Sequence, residues 1–86
     1  MPLSRLSIRQ LEAFVAVADL LGFAAAGTRL GLTASAISQL IADLEATLGF
    51  RVFDRSTRRV TLSSAGRDFL GSAQSALRHM QLAESA

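Results

Sequence analysis

Between Phe23 and Leu48 the chain reads FAAAGTRLGLTASAISQLIADLEATL, and no other stretch limits the possible folds so tightly. Small apolar residues over 24–30 predict a short helix. Gly27 in its middle costs about 1 kcal/mol against Ala, which close packing against the next helix would justify. Gly31 permits a left-handed turn, Leu32 can tuck inward, and Thr33 can cap a second helix. Over 34–48, Ile37, Leu40, Ile41, Leu44 and Leu48 fall on one face at helical spacing. The opposite face carries Ser35, Gln39, Ala42, Asp43 and Ala46, with Ser38 at its flank. A short helix, a Gly-bearing turn and a longer one-sided helix are the layout of a helix-turn-helix. The second helix of that motif enters the DNA major groove.

The flanking segments complete a small domain. Ser7 and Gln10 form a capping box at the start of a first helix, with Leu6 and Leu11 in the staple positions. Ile8, Leu11, Phe14, Val15, Ala18 and Leu21 lie along one face, and Gly22 is the natural stop. Gly49 ends the helix at 34–48. Beyond it, Val52, then Val60 with Leu62, suit two short strands joined by a polar turn, a β-wing. Ser63 or Ser64 can cap a last helix running towards Ala83. Along it Leu70, Ala73, Leu77 and Met80 make a coiled-coil-like seam. At 1.5 Å per residue, about 20 residues form a rod of roughly 30 Å. Nothing else in the chain is long enough to cover it, so a second chain is the expected cover. The fold class is mainly α: a winged helix-turn-helix over 1–62 and a long C-terminal helix over 63–86.

Composition narrows the function classes. Eighty-six residues allow one small domain, whose modest core favours oligomerisation. There is no Cys, which excludes a disulfide frame and a thiolate metal site. One His, His79, cannot supply a metal cluster or a Ser/His/Asp arrangement. No enzyme, metal or cofactor is therefore expected. No apolar run is long enough to cross a membrane, and the N-terminus lacks the pattern of a signal peptide, so a cytoplasmic protein is expected. The end, Ala-Glu-Ser-Ala, carries no helix stop, which suggests that the sequence is the front part of a longer protein.

Net charge is only +2, but its distribution is uneven. Residues 1–50 hold three Arg against four acids, and residues 68–86 one Arg against two. Residues 51–67 hold five Arg against one Asp, so the positive field is concentrated where a wing would meet phosphate. There is no Lys, and a guanidinium is the better fork for phosphate or guanine. Arg58 and Arg59, at the wing tip, can reach phosphates or a narrow minor groove. Arg51 and Arg55 can do the same, or pair with Asp54, Glu45 or Asp43 to hold the wing on the preceding helix. Arg67 could reach phosphate, whereas His79 is most simply an interface or surface residue. Ser35 and Gln39 stand one turn apart near the start of the 34–48 helix. Gln39 can pair bidentately with adenine N6 and N7, a contact that discriminates by about 1–3 kcal/mol. Ser35 and Ser38 can donate to phosphate or a base. Thr33 is foremost a cap whose hydroxyl can also touch phosphate.

Four segments in order carry a family resemblance: Leu11-Glu-Ala-Phe-Val-Ala-Val-Ala, Leu32-Thr-Ala-Ser-Ala-Ile-Ser-Gln, Leu44-Glu-Ala-Thr-Leu-Gly-Phe-Arg-Val-Phe-Asp-Arg and Val60-Thr-Leu-Ser-Ser-Ala-Gly. Across nearly all of 6–83 the chain resembles the N-terminal domain of LysR-type transcriptional regulators. The resemblance implies a linker helix that packs antiparallel with its copy in a homodimer. It also implies a C-terminal small-molecule-sensing domain, to which no part of these residues corresponds. The family's DNA-facing positions fall on Thr33, Ala34, Ser35, Ser38 and Gln39, and in the wing on Arg58 and Arg59. The expected function is sequence-specific binding of double-stranded DNA by a dimeric bacterial transcription regulator. Ala24, Ala25, Ala34 and Asp43 depart from the family's usual hydroxyl, polar or basic residues. Those departures motivate the alternative of a winged-helix dimerisation module without DNA binding.

Overall fold

Ser7 opens the first helix by the expected reciprocal pair of bonds. Its hydroxyl accepts the Gln10 N–H at 3.1 Å, and Gln10 Oε1 accepts the Ser7 N–H at 3.1 Å. The computed structural model describes residues 5–54 and 59–85. In chain order these form α1 (Ile8–Leu20), α2 (Phe23–Leu30), α3 (Ala34–Leu48), β1 (Phe53–Asp54), β2 (Thr61–Leu62) and α4 (Ser64–Ser85). The two strands pair antiparallel, Phe53 opposite Leu62 and Asp54 opposite Thr61. Val52 and Val60, expected inside the strands, stand just before them.

The first helix does not stop on its glycine. Leu21 takes the left-handed cap at φ 55°, with its N–H on the Val17 carbonyl at 2.7 Å. Gly22 is extended and serves as the entry residue of α2. Only two residues separate the helices, so the reversal must begin at Leu21. For a residue with a Cβ this costs roughly 1–2 kcal/mol. Burial does not offset the cost, because Leu21 is 59% exposed.

Gly27 is required by the turn rather than by the next helix. A Cβ there would collide with the Leu32 carbonyl, and the Leu32 N–H returns to the Gly27 carbonyl at 2.8 Å. This close approach folds the turn back on α2 and sets the entry of α3. Gly31 then supplies the left-handed residue at φ 69°.

Three helices meet over a core of Leu11, Phe14 and Val17 from α1, Ala26 from α2, and Ile37, Ile41 and Leu44 from α3. All five Phe residues join in one run. Phe23 meets Phe53 at 6.2 Å between ring centroids, Phe53 meets Phe14 at 5.4 Å, Phe14 meets Phe69 at 5.4 Å, and Phe69 meets Phe50 at 6.4 Å. Tilted and edge-on pairs of this kind contribute about 0.5–1.5 kcal/mol each beyond area burial. The run ties α2, the wing, α1 and α4 together, and no local periodicity in the sequence points to it.

The last helix is divided along its length. Gly66 is buried in the first turn, and Ala73 is 1% exposed within the chain's own core. Phe69, Leu70, Ala76 and Leu77 pack against that core. Met80 and Leu82 are exposed, at 39% and 61%. The stripe expected as one seam between chains is therefore partly spent on this domain. Ala73 is enclosed and has no surface to offer a second chain, because α4 packs on α1 over this part of its length. Among the described residues no helix is long and apolar enough to cross a membrane.

Candidate nucleic-acid interface

Thr33 sets the exposed end of α3. Its backbone is extended and its hydroxyl accepts the Ala36 N–H at 3.0 Å, which satisfies one of the free amides of the first turn. Beyond this cap, Ala34, Ser35, Ser38, Gln39, Ala42 and Asp43 are all exposed, while Ile37, Ile41 and Leu44 are fully buried. The helix therefore shows solvent a continuous, largely polar strip while its apolar strip is anchored in the core. A rigidly held helix carrying polar side chains on its free face is what base reading in a major groove requires.

Within that strip, Gln39 Nε2 donates to Asp43 Oδ1 at 2.9 Å. The spacing is one helical turn, where such a pair stabilises a helix by about 0.2–0.5 kcal/mol. No Arg, Lys or His stands in α3, and its two charged residues are Asp43 and Glu45. The helix is thus anionic. Arg59, beside β2, is exposed, as are Arg51 and Arg67. Arg58 and Arg55 lie outside the described residues.

The wing is locked to α3 at its base. The Val52 N–H donates to Glu45 Oε2 at 2.9 Å, and the Val52 carbonyl accepts the Ser63 N–H at 2.9 Å. Ser63 Oγ donates to the Arg51 carbonyl at 2.6 Å and accepts the Gly66 N–H at 2.9 Å, so it caps α4 while holding the wing. A Cβ at Gly66 would collide with the Val52 carbonyl. Glu45 holds the wing on α3 through the Val52 backbone amide, and Arg55, one of its expected partners, lies outside the described residues. Sequence alone suggests only an arginine partner for it.

These elements in this order match the model of the bacterial regulatory helix-turn-helix protein, lysR family, over residues 8–67. The chain belongs to the lysR family. It is 54% identical over 69 residues to the HTH-type transcriptional regulator ShiR of Corynebacterium glutamicum (strain R), covering 80% of this chain and 23% of that protein. Among solved structures, the chain in a CbnR DBD–DNA complex superposes with a TM-score of 0.86 at 35% identity, over 93% of this chain and 92% of that one. The chain of the BenM DBD/benA site 1 DNA complex gives 0.87 at 29% identity, over 93% and 90%. The fold is thus the winged helix-turn-helix of lysR-family regulators. This chain spans 20–24% of the length of the first five curated relatives, which are named as regulators or activators of genes.

Among the described residues no group of His, Asp and Glu could hold a metal ion. His79 turns inward on its own helix, with Nδ1 at 2.8 Å from the Ser75 carbonyl. Sequence reasoning misses three contacts that build the site: that of Glu45 with the Val52 amide, that of Gly66 with the Val52 carbonyl, and that of Asp43 with Gln39. The last is open to view in the i, i+4 spacing. The other two depend on where the chain returns after the wing.

Proposed function

We propose that this chain is the DNA-binding part of a dimeric bacterial transcription regulator acting in the cytoplasm. The observation that carries the reading is the division of α3 into a fully buried stripe and an exposed polar strip that begins at its capped N-terminal end. On this reading Ser35, Ser38 and Gln39 face base edges in the major groove, with Thr33 and Ala34 close to the backbone. Arg58 and Arg59 engage phosphate or the minor groove from the wing. The mechanism is positional rather than catalytic: phosphate contacts fix the register and base contacts supply specificity. The crystallised DNA complexes of similar chains support it.

A second copy completes the reader. Met80 lines a groove of about 300 Å³ with Ile8, Leu30, Leu77, Gln81 and Glu84, and Leu82 is exposed nearby on α4. The copies would meet through this free part of α4, residues 1–62 serving as reader and 63–86 as linker. Any small-molecule effector would act through a further domain.

The deciding experiment is selection of bound duplexes from a random-sequence pool by the 86-residue chain. An enriched inverted repeat is expected. A folded dimer that enriches nothing would point instead to a dimerisation module, the reading favoured by the anionic α3. Replacing Arg59 by Ala should weaken binding to all sequences alike and lower the salt slope by about 1. An unchanged slope would remove Arg59 from the interface.

A further inference from the structure

We propose that Asp43 is a positioning residue for base recognition: it fixes the side-chain amide of Gln39 in the one orientation that pairs with adenine. The proposal rests on the reading of α3 as the base-facing helix. An ionised carboxylate only accepts hydrogen bonds, so the edge of Gln39 facing Asp43 must be the NH₂ edge. The contact is made, with Nε2 at 2.9 Å from Asp43 Oδ1. One Nε2–H is thereby used, while Oε1 and the second Nε2–H remain for a base.

Those two groups are what adenine needs, since its N6 donates and its N7 accepts. A free glutamine amide can turn over and present the donor and acceptor in reversed order, which misses the pair. Asp43 removes that alternative before DNA arrives, along with part of the ordering cost of an exposed, flexible side chain. Both residues are exposed on the same strip of α3, one turn apart, on a helix whose opposite stripe is fully buried. The carboxylate also explains how an anionic residue can occupy a surface that meets phosphates. Its contribution is to selectivity, while attraction comes from the arginines of 51–67.

The test starts from the site selected by the wild-type chain and measures affinity for each single-base variant of one half-site. Gln39→Ala identifies the base pair that residue 39 reads. At that pair, Asp43→Ala should lower the preference for adenine by about tenfold, and Asp43→Asn, whose amide can donate as well as accept and so admits both orientations of Gln39, should lower it by a comparable factor. Preferences at the other positions keep their order in both variants. Loss of the charge in Asp43→Asn should raise affinity for every duplex alike, a uniform change separable from preference. The proposal fails if Asp43→Ala or Asp43→Asn keeps the full preference. A wild-type chain that enriches no duplex overturns the DNA-binding reading itself, and this proposal with it.

Discussion

Helices α3 and α4 each carry an apolar stripe at helical spacing, yet the fold uses the two stripes differently. In α3, Ile37, Ile41 and Leu44 are all fully enclosed by the domain. In α4 the stripe begins the same way, with Ala73 buried and Leu70 and Leu77 packed on the core, but it runs out at Met80 and Leu82. The difference teaches that periodicity shows that a face seeks cover without showing what covers it. Helix α3 has fifteen residues and α4 twenty-two. At about 1.5 Å per residue the excess is roughly two turns.

The contrast can be broken most forcefully at Ile41. Ile41→Ala opens a cavity in a site with no exposure and should cost about 2–5 kcal/mol in urea unfolding. A loss under about 1 kcal/mol would mean that the α3 stripe is no better covered than the end of α4. Two glycines of α4 sharpen the same point with opposite signs. Gly66→Ala pushes a methyl group into the Val52 backbone and should cost about 1–3 kcal/mol. Gly71 has open space around it, so Gly71→Ala should stabilise the helix by about 0.5–1 kcal/mol. Equal effects at the two positions in thermal melts would contradict the close seating of the first turn of α4. The smallest effect on the single chain is expected at the far end. Met80→Ser together with Leu82→Ser should change its stability by less than about 0.5 kcal/mol. The same pair should weaken self-association, read by sedimentation equilibrium. Unchanged association would move the dimer contact away from this end of α4.

Local chemistry makes much of the fold legible in the sequence. The Ser7–Gln10 box, the Thr33 cap, the left-handed Gly31 and Gly49, and the buried stripe of α3 each rest on steps of no more than four positions along the chain. The base-facing strip is legible as the complement of that stripe. Leu21 is not, because a glycine stands next to it and only the tight entry of α2 moves the cap forward by one residue. In the sequence, Arg51 and Arg55 stand out as charged partners for Glu45. Whatever Arg55 does outside the described residues, the structure adds the Val52 N–H, a donor that every residue but proline carries and that sequence alone cannot single out.

By itself, then, the sequence determined the helices, their caps, the apolar and polar faces of α3 and the concentration of positive charge over 51–67. All of these come from interactions within one or two turns of chain. Only the tertiary structure decided that Gly66 must be a glycine, that five phenylalanines form one run, that the wing hangs from Glu45, and that Ala73 belongs to the core. The reason is physical. Such contacts join residues far apart in the chain, and their partners are chosen by how whole elements pack, which no local pattern encodes.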